Sequence, residues 1–305
     1  MNFYKKIIRS QKLRFKILSA LRFVPDETMV KLQYRIKTGR KLNLKNPERY
    51  SEKLQWYKLY YRDPVMMQCA DKYTVRKFIQ SKGLESILNE LYEKFDSPEE
   101  ISFDSLPGRF VMKLSNGSGT NLFCTDKKML DLEKVKEEFR SFYARSNASA
   151  GREWVYHTGE KPVIIAEKFL EDPEQKGGIY DYKFLCFGGV PQYVVCDVDR
   201  FSDHRRNIYD MDWNDLRIGS DCKCNDVALT RPTKLDEMAA IAGKLAEGFP
   251  AVRVDLYVVK DKIYFGELTF FPWSGYVVFD PDQFDFDAGE KFVLPKANYG
   301  KRKYD

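Results

Sequence analysis

Histidine is nearly absent from this sequence, with only His157 and His204 among 305 residues. Zinc centres are built from histidine and cysteine ligands, and activated Ser–His or Cys–His nucleophiles need a histidine base. The scarcity of histidine therefore argues against a zinc enzyme. It agrees with a reaction that needs no Ser–His or Cys–His nucleophile. The closely spaced Cys222 and Cys224 leave a metal or redox role open as an alternative.

Disulfide spacing and long apolar runs are also missing. The six cysteines do not show the spacing of a disulfide framework, and a chain of this size does not need one. No stretch approaches the ~20 apolar residues of a membrane span, and the first residues lack the apolar core of a secretory signal. We therefore expect a cytoplasmic globular protein, which 43% hydrophobic and 31% charged residues allow.

Positive charge is concentrated at the start of the chain. Residues 1–50 carry fourteen Lys and Arg against three Asp and Glu, so the remainder is acidic although the whole chain has a charge of +6. Apolar residues recur at helical spacing in residues 1–45, the basic arm, which predicts an amphipathic helix. Such a helix either lies on the anionic inner face of the cytoplasmic membrane or packs on the protein body. Nucleic acid is not expected, because the arm has no recognisable nucleic-acid-binding motif and the body is acidic.

Helical and strand patterns alternate along the rest of the chain, which predicts an α+β fold with antiparallel sheets. The pattern indicates no regular structure over residues 201–232 or in the C-terminal tail. The predicted helices cover 51–61, 71–81, 131–143 and 235–248. The predicted strands cover 91–95, 109–114, 120–125, 163–166, 182–187 and 192–198, together with a hairpin at 251–275.

This last hairpin, AVRVDLYVVKDKIYFGELTFFPWSG, carries charged residues on a half-buried face. A three-residue turn would place Val259 opposite Ile263, and the same register places Asp255 opposite Glu267 and Arg253 opposite Thr269. Directly opposed carboxylates repel each other, and a hard cation such as magnesium would remove the repulsion. The alternative is a solvated face on which the two carboxylates point at water.

A second pattern, RFVMKLSNGSGTNLF at 109–123, predicts two strands around a Gly/Ser turn. Small residues and free backbone N–H groups allow such a turn to close over phosphates, with Lys113 supplying charge. No Gly-Lys-Ser/Thr follows, which excludes a P-loop, and the third glycine of a Rossmann turn is missing. The alternative is an ordinary hairpin turn.

The order of these patterns resembles the ATP-grasp superfamily, and in particular the TupA-like ATP-grasp proteins of bacterial surface-polysaccharide gene clusters. The segments DKYTVRKFI, VIIAEKFL, YDYKFLCFGG, RVDLY and FGELTF carry the resemblance. It implies two α/β lobes with antiparallel sheets that grip ATP, preceded by the basic arm. The implied domains are the arm, a shortened substrate region at 46–108, a nucleotide lobe at 109–170 and a metal and catalytic lobe at 171–305.

The resemblance also implies which residues bind the nucleotide. Lys72 and Lys113 would contact the ATP phosphates, Glu167 would begin the hinge that reads adenine, and Glu174 would contact the ribose. The flap above the phosphates would consist of Asn116, Gly117, Ser118 and Gly119. The backbone of the hinge would continue through Lys168, Phe169 and Leu170.

In the second lobe the resemblance implies metal and catalytic residues. Asp255 and Glu267 would hold magnesium, Arg253 would stabilise the charge that develops at an acyl phosphate, and Lys183 would lie near the phosphates. Thr269 stands where ATP-grasp enzymes commonly have Asn. Its hydroxyl can still offer a ligand oxygen, and the replacement leaves open whether one or two metal ions are bound.

The function implied is that of an ATP- and magnesium-dependent carboxylate–amine ligase. Its partners would be a uronic-acid-containing saccharide or nucleotide sugar and an amino acid or amine. Arg205, Arg206 and Arg217 are candidates to recognise a carboxylate or a sugar phosphate. A glycosyltransferase or a sugar kinase of the same pathway, and a non-catalytic nucleotide-binding protein, are the alternatives.

Overall fold

The computed structural model describes residues 18, 20, 21, 23–146, 151–156, 161–175, 177–200 and 202–299. Residues 1–17 of the basic arm, which hold most of its predicted amphipathic helix, lie outside these residues. The described α-helices are α1 (Asp26–Thr38), α2 (Tyr50–Tyr60), α3 (Pro64–Ala70), α4 (Val75–Ser81), α5 (Leu132–Ser146), α6 (Leu235–Ala246) and α7 (Gln283–Lys291). The described strands are β1 (Leu91–Phe95), β2 (Phe110–Leu114), β3 (Asn121–Cys124), β4 (Ile164–Lys168), β5 (Asp181–Phe187), β6 (Val190–Val198), β7 (Arg205–Asp210), β8 (Ala251–Val259) and β9 (Lys262–Thr269).

The described residues form two compact units. The large unit comprises residues up to 63, residues 151–153 and residues from 172 onward. The small unit comprises residues 64–146 and 154–171. No helix among the described residues is long and apolar enough to cross a bilayer.

The small unit is built on a four-stranded antiparallel sheet with the strand order β1-β4-β2-β3. Alternate residues of β2 point to opposite faces, and Phe110, Met112 and Leu114 enter the core on one of them. Helix α5 closes this core with Val135, Phe139 and Phe142, which recur at helical spacing. Lys113 of the same strand therefore points to the face away from α5.

The large unit is built on a five-stranded antiparallel sheet with the strand order β7-β6-β5-β8-β9. The apolar stripe of α6 is buried on one face, where Cys186 Sγ lies 4.0 Å from the carbonyl oxygen of Ala242. Lys183 points to the opposite face, because side chains alternate along a strand. Helix α2 covers the end of that face near Phe187, whose ring centroid lies 5.4 Å from that of Tyr50.

Helix α1 lies within the basic arm and packs as part of the large unit. Its buried side chains are Met29, Val30, Gln33 and Tyr34. The Tyr34 hydroxyl lies 2.9 Å from Ser51 Oγ of α2, and the Tyr276 hydroxyl lies 2.8 Å from Gln33 Oε1.

Three elements were not predicted from the sequence, namely α3, β7 and α7. Strand β7 lies in a segment expected to be irregular, because the polar residues at its start conceal its alternation. The tail contains α7, where Asp285 is fully buried and accepts hydrogen bonds from the backbone N and Oγ of Ser51 at 2.8 and 2.7 Å. The helix predicted over 71–81 begins at Val75, since Asp71 Oδ1 accepts the backbone N–H groups of Tyr73 and Thr74 in the preceding turn.

Candidate functional site

The hairpin of β8 and β9 pairs Asp255 with Glu267 and Arg253 with Thr269, as the sequence predicts. The predicted turn is wrong, because Val259 pairs with Lys262 and not with Ile263. The turn has two residues, Lys260 and Asp261, with φ angles of 48° and 62°. Positive φ at both central positions matches the twist of a two-residue hairpin.

A β-bulge restores the predicted register next to the carboxylates. The pairing shifts between Asp255 and Leu256, and Leu256 pairs with Phe265, which leaves Gly266 as the extra residue. A Cβ atom at Gly266 would lie 2.9 Å from Tyr257 Cε2 and 3.0 Å from the carbonyl oxygen of Asp255. Glycine therefore allows the bulge that places Glu267 opposite Asp255.

Arg253 is the cation shared by this pair of carboxylates. Its Nε and Nη2 donate to the two oxygens of Asp255 at 2.7 and 2.6 Å, and Nη2 also donates to Glu267 Oε1 at 2.9 Å. Burial alone would lower the pKa of Arg253, but Asp255 and Glu267 hold it above its usual range. Burial raises the pKa of Asp255 to about 7, because the loss of hydration outweighs the attraction of the carboxylate to Arg253 and Lys183.

Glu267 is the solvent-accessible member of this pair of carboxylates. Its side chain is 42% exposed, whereas Asp255 is buried. Thr269 Oγ1 donates to Glu267 Oε1 at 3.1 Å and also lies 3.1 Å from Arg253 Nη2. Two carboxylates and a hydroxyl are hard oxygen ligands, and they fit magnesium that keeps water or phosphate oxygens in its other positions. Among the described residues no three or more His, Cys, Asp or Glu side chains form a metal site, so a cation held here would depend on these few ligands.

A second pair of opposed carboxylates lies on the same face of the sheet. Asp181 pairs with Asp197 across β5 and β6, and both are almost completely buried. Lys183 forms ion pairs with Asp181, with Asp197 at 3.3 Å and with Asp255 at 3.7 Å. Burial alone would lower the pKa of Lys183, but the three carboxylates raise it. The predicted catalytic Lys183 is therefore fixed by two residues that sequence reasoning missed.

Arginines from outside β5 complete this second pair. Arg200 Nη1 donates to Asp181 Oδ2 at 2.8 Å, and Arg206 Nε donates to Asp197 Oδ1 at 2.6 Å. Burial alone would raise the pKa of Asp197, but Lys183 and Arg206 hold it well below its usual range. The Asp-x-Lys alternation in YDYKF is the sequence signal that could have found Asp181.

The three loop arginines have different positions. Arg206 is buried in β7, and the centroid of the Trp273 ring lies 5.4 Å from its guanidinium carbon. Arg205 Nη2 donates to Asp203 at 2.5 Å, and Arg217 donates to the backbone carbonyl groups of 225 and 226. These contacts do not bring the three together as one recognition site. Trp273 and its neighbour Ser274 have φ angles of 52° and 55°, so the chain is strained directly after β9.

In the small unit Lys113 and Glu167 lie together on adjacent strands. Lys113 Nζ donates to Glu167 Oε2 at 2.9 Å, and Arg76 Nη1 donates to Glu167 Oε1 at 3.2 Å. Glu167 is 6% exposed, so its charge is compensated in a largely dry environment. Arg76 was not predicted as a site residue, although it lies within the DKYTVRKF segment.

The predicted flap is held by residues of the same unit. Lys72 Nζ donates to the carbonyl oxygen of Gly117 at 2.6 Å, and Asn116 Nδ2 donates to the carbonyl oxygen of Tyr156 at 3.4 Å. Ser118 and Gly119 are exposed, and Gly119 has a φ of 66°, which favours glycine. The structure thus brings Lys72 to the flap and Lys113 to the hinge.

The hinge residues after Glu167 differ in their backbone contacts. The backbone of Lys168 is already paired, since its N–H donates to Glu90 and its carbonyl accepts from Asn89 Nδ2. Phe169 lies under the Arg109 guanidinium, 4.8 Å from ring centroid to carbon, and Leu170 is half-buried. Glu174 is exposed in the large unit, and its backbone N–H donates to Asp172.

Comparison with known proteins identifies the family of this chain. The family model of the TupA-like ATP-grasp proteins matches residues 52–293, a range that contains every predicted site residue. This chain belongs to the TupA-like ATP-grasp family. The sequence prediction of the family and of an α+β ATP-grasp fold is thereby confirmed. No curated protein matches this chain significantly.

Two solved structures that are similar to this TupA-like protein share little sequence identity with it. D-alanine–D-alanine ligase from Bacillus anthracis with ATP is 12% identical at a TM-score of 0.39, with 66% of this chain and 53% of that chain covered. An L-amino acid ligase from Bacillus licheniformis is 17% identical at a TM-score of 0.39, with 68% and 42% covered. The chain thus spans about half of these enzymes' length, and the family assignment rests on the sequence match.

Thr269 is the position at which this TupA-like protein departs from the common ATP-grasp pattern. An Asn amide would offer a carbonyl oxygen, whereas the Thr269 hydroxyl is engaged with Glu267 and Arg253. The hydroxyl still lies beside the carboxylates, so it remains a candidate for a further oxygen ligand. The roles of the individual residues remain predictions.

Proposed function

We propose that this protein is an ATP- and magnesium-dependent ligase that joins a carboxylate to an amine through an acyl phosphate. Membership of an ATP-grasp family supports ATP as the nucleotide and ligation as the reaction class. In the proposed reaction a carboxylate oxygen attacks the γ-phosphorus and ADP leaves. The amine nitrogen then attacks the acyl carbon, phosphate leaves and the nitrogen loses a proton.

The observation that carries the proposal is the opposition of Asp255 and Glu267. One guanidinium, from Arg253, is shared by both carboxylates, and the Glu267 side chain is partly open to solvent. Burial leaves the pKa of Asp255 raised, so additional positive charge beside it would be favourable. Asp255 and Glu267 would hold magnesium, which neutralises phosphate charge when bound.

The residues of the chain would then act mainly by positioning and electrostatics. Phosphoryl transfer between two anions is limited by charge repulsion, so fixed cations lower its barrier. Arg253 would stabilise the charge at the acyl phosphate, and Lys183, immobilised by its carboxylates, would offer a second fixed cation. Lys113 would contact phosphate and Glu167 would accept from the adenine amino group.

The finer part of the proposal concerns the substrates. By resemblance to its family the protein would act on the carboxyl group of a uronic acid in a saccharide or nucleotide sugar, with an amino acid or amine as the second substrate. The described residues show no feature that favours the alternative glycosyltransferase or sugar kinase. A glycosyltransferase would respond to UDP-sugars in place of Mg-ATP, whereas a sugar kinase would bind Mg-ATP and release ADP with a sugar but without any amine.

The test is thermal unfolding of the purified protein with Mg-ATP and, separately, with UDP-sugars. A ligand that binds the native state raises the unfolding midpoint, by an amount that grows with concentration over the dissociation constant. We expect Mg-ATP to raise the midpoint and Glu267→Gln to weaken that shift. ADP release with panels of uronates and amines would then identify the substrates. A shift with UDP-sugars alone, or none with Mg-ATP, would contradict the proposal.

A further inference from the structure

Glu167 of the small unit has two different cations, one on each carboxylate oxygen. Lys113 Nζ lies 2.9 Å from Oε2, and Arg76 Nη1 lies 3.2 Å from Oε1. The two cations come from different elements, since Lys113 belongs to β2 and Arg76 to α4. If Lys113 turns toward a phosphate, as the proposed function requires, Arg76 still compensates the buried carboxylate.

Arg76 is also tied to the chain that runs beside the hinge. Its Nη2 donates to the backbone carbonyl of Asn89 at 2.9 Å. The side chain of Asn89 in turn donates to the carbonyl of Lys168 at 2.9 Å, and the N–H of Lys168 donates to Glu90 at 3.0 Å. The guanidinium therefore fixes both the carboxylate of Glu167 and the backbone segment that orients the following residue.

Residues 71–76, the stretch that contains Arg76, also hold the strand end that leads into the predicted flap. Asp71 Oδ2 accepts from Ser115 Oγ at 2.5 Å, and the backbone N–H of Lys72 donates to the carbonyl of Ser115 at 2.9 Å. Residues 71–76 thus contact Ser115, beside the flap, at one end and Glu167 of β4 at the other. Arg76 is the member of this stretch that reaches the carboxylate.

We propose that Arg76 is a positioning residue that sets nucleotide selectivity through Glu167. The inference rests on the proposed function, in which Glu167 accepts a hydrogen bond from the amino group of adenine. Arg76 holds this carboxylate through Nη1 while its Nη2 is bound to Asn89, so the carboxylate presents a fixed acceptor to that amino group. Hypoxanthine carries a carbonyl oxygen at the same position, and two acceptors repel each other.

The experiment compares ATP with inosine triphosphate, in which a carbonyl oxygen replaces the 6-amino group and ring N1 carries a proton. The N1 change is the same for every variant, so a change in the ratio between variants reports on Arg76. Binding of each nucleotide with Mg²⁺ is measured by titration calorimetry for the wild type, Arg76→Gln and Arg76→Lys. Arg140→Gln is the matched control, because Arg140 is an exposed arginine of the same unit that is paired with Glu99 and Glu137. Thermal unfolding without nucleotide shows whether each variant is folded.

We expect the wild type to prefer ATP and Arg76→Gln to reduce the ratio of ATP to inosine triphosphate affinity by about tenfold or more, the loss of one charge-assisted contact. Arg76→Lys keeps the charge without the guanidinium and should lie between the two. Arg140→Gln should leave the ratio unchanged.

Equal weakening of both nucleotides in folded Arg76→Gln, or an unchanged ratio, would overturn the inference while leaving the proposed function standing. A wild type that binds neither nucleotide would overturn the proposed function, and this inference with it. If Arg76→Gln does not fold, the ratio for Arg76→Lys decides: a wild-type value there counts against a positioning role.

Discussion

Two pairs of opposed carboxylates lie on one face of the five-stranded sheet, and they differ in how their charge is compensated. Asp181 and Asp197 share Lys183, and each also has an arginine, Arg200 or Arg206. Asp255 and Glu267 share the single guanidinium of Arg253, and Lys183 lies 3.7 Å from Asp255. The first pair is enclosed, whereas the side chain of Glu267 is 42% exposed.

The electrostatic consequence is opposite for the two pairs. Lys183 and Arg206 hold the pKa of Asp197 below its usual range despite burial, whereas burial raises the pKa of Asp255. A carboxylate with a lowered pKa is already stabilised as an anion by its surroundings. We infer from this difference that the first pair stabilises the sheet and fixes Lys183, and we propose the second pair as the cation site.

Removing Asp197 should have the largest effect, because it breaks the enclosed pair. Asp197→Ala leaves Arg206 and Lys183 buried with one carboxylate fewer, which we expect to lower the free energy of unfolding by about 3–5 kcal/mol. Urea unfolding measures the loss. Asp236→Ala is the control, since Asp236 also pairs with an arginine but is 82% exposed. Equal losses in both variants would remove the distinction between the enclosed pair and a surface pair.

Glu267→Gln should affect cation binding and leave folding nearly intact. The amide can still accept from Arg253 and Thr269, so the free energy of unfolding should change by about 0.5 kcal/mol or less. The affinity for Mn²⁺ in the presence of ADP, measured from the electron paramagnetic resonance of free Mn²⁺, should fall by about 100-fold, the upper range for one charge-assisted contact. Glu237→Gln is the control, because Glu237 is an exposed glutamate outside this pair, and it should leave the affinity for Mn²⁺ unchanged. Unchanged Mn²⁺ binding in Glu267→Gln would show that the open pair is not a cation site.

Gly266→Ala sharpens the comparison by disturbing the register of the second pair alone. The added Cβ would meet Tyr257 Cε2 and the carbonyl of Asp255 at 2.9 and 3.0 Å. We expect a loss of about 1–3 kcal/mol in the free energy of unfolding, as for other overpacked sites, and weaker Mn²⁺ binding. Gly108→Ala is the control, because nothing lies within 4 Å of a Cβ there. Mn²⁺ binding equal to that of the wild type would mean that the bulge does not position Glu267.

The pH dependence of stability should have opposite signs at the two pairs. The pKa of Asp197 is lowered from 3.8, so its stabilising contribution is present above that value and is lost as the pH falls. The pKa of Asp255 is raised from 3.8 to about 7, so the folded state binds more protons between those values and the wild type gains stability as the pH falls through them.

Urea unfolding of the wild type, Asp197→Asn and Asp255→Asn from pH 3 to pH 8 checks these signs. The stability advantage of the wild type over Asp197→Asn should shrink at the acid end. Relative to Asp255→Asn, the wild type should gain stability as the pH falls from 7 toward 4. Each slope is limited to about 1.4 kcal/mol per pH unit for a single group. Slopes of the same sign would contradict the comparison.

Much of the hairpin site could be predicted from the sequence. Arg253 and Asp255 share a face because side chains alternate along a strand, and that rule needs no tertiary information. The predicted turn was one residue too long, and the bulge at Gly266 was not foreseen. The two errors compensate, so the pairing of Asp255 with Glu267 was right although the path to it was not.

The enclosed pair could not be predicted in the same way. Asp181 and Asp197 meet because β5 and β6 form a hairpin, but their arginines come from the chain after β6 and from β7, which was expected to be irregular. The partnership of Arg76 and Glu167 joins residues ninety-one positions apart. Contacts of this kind depend on how distant segments pack, which a local pattern does not contain.

The sequence by itself determined the order of the motifs, the alternation that opposes Asp255 to Glu267, and the family to which the chain belongs. The tertiary structure decided which carboxylates are enclosed with cations and which side chain remains open to solvent. The physical reason is that alternation is a property of one strand, whereas burial and charge compensation depend on all the segments that surround a group. The same residue type, Asp, therefore has a lowered pKa at position 197 and a raised pKa at position 255.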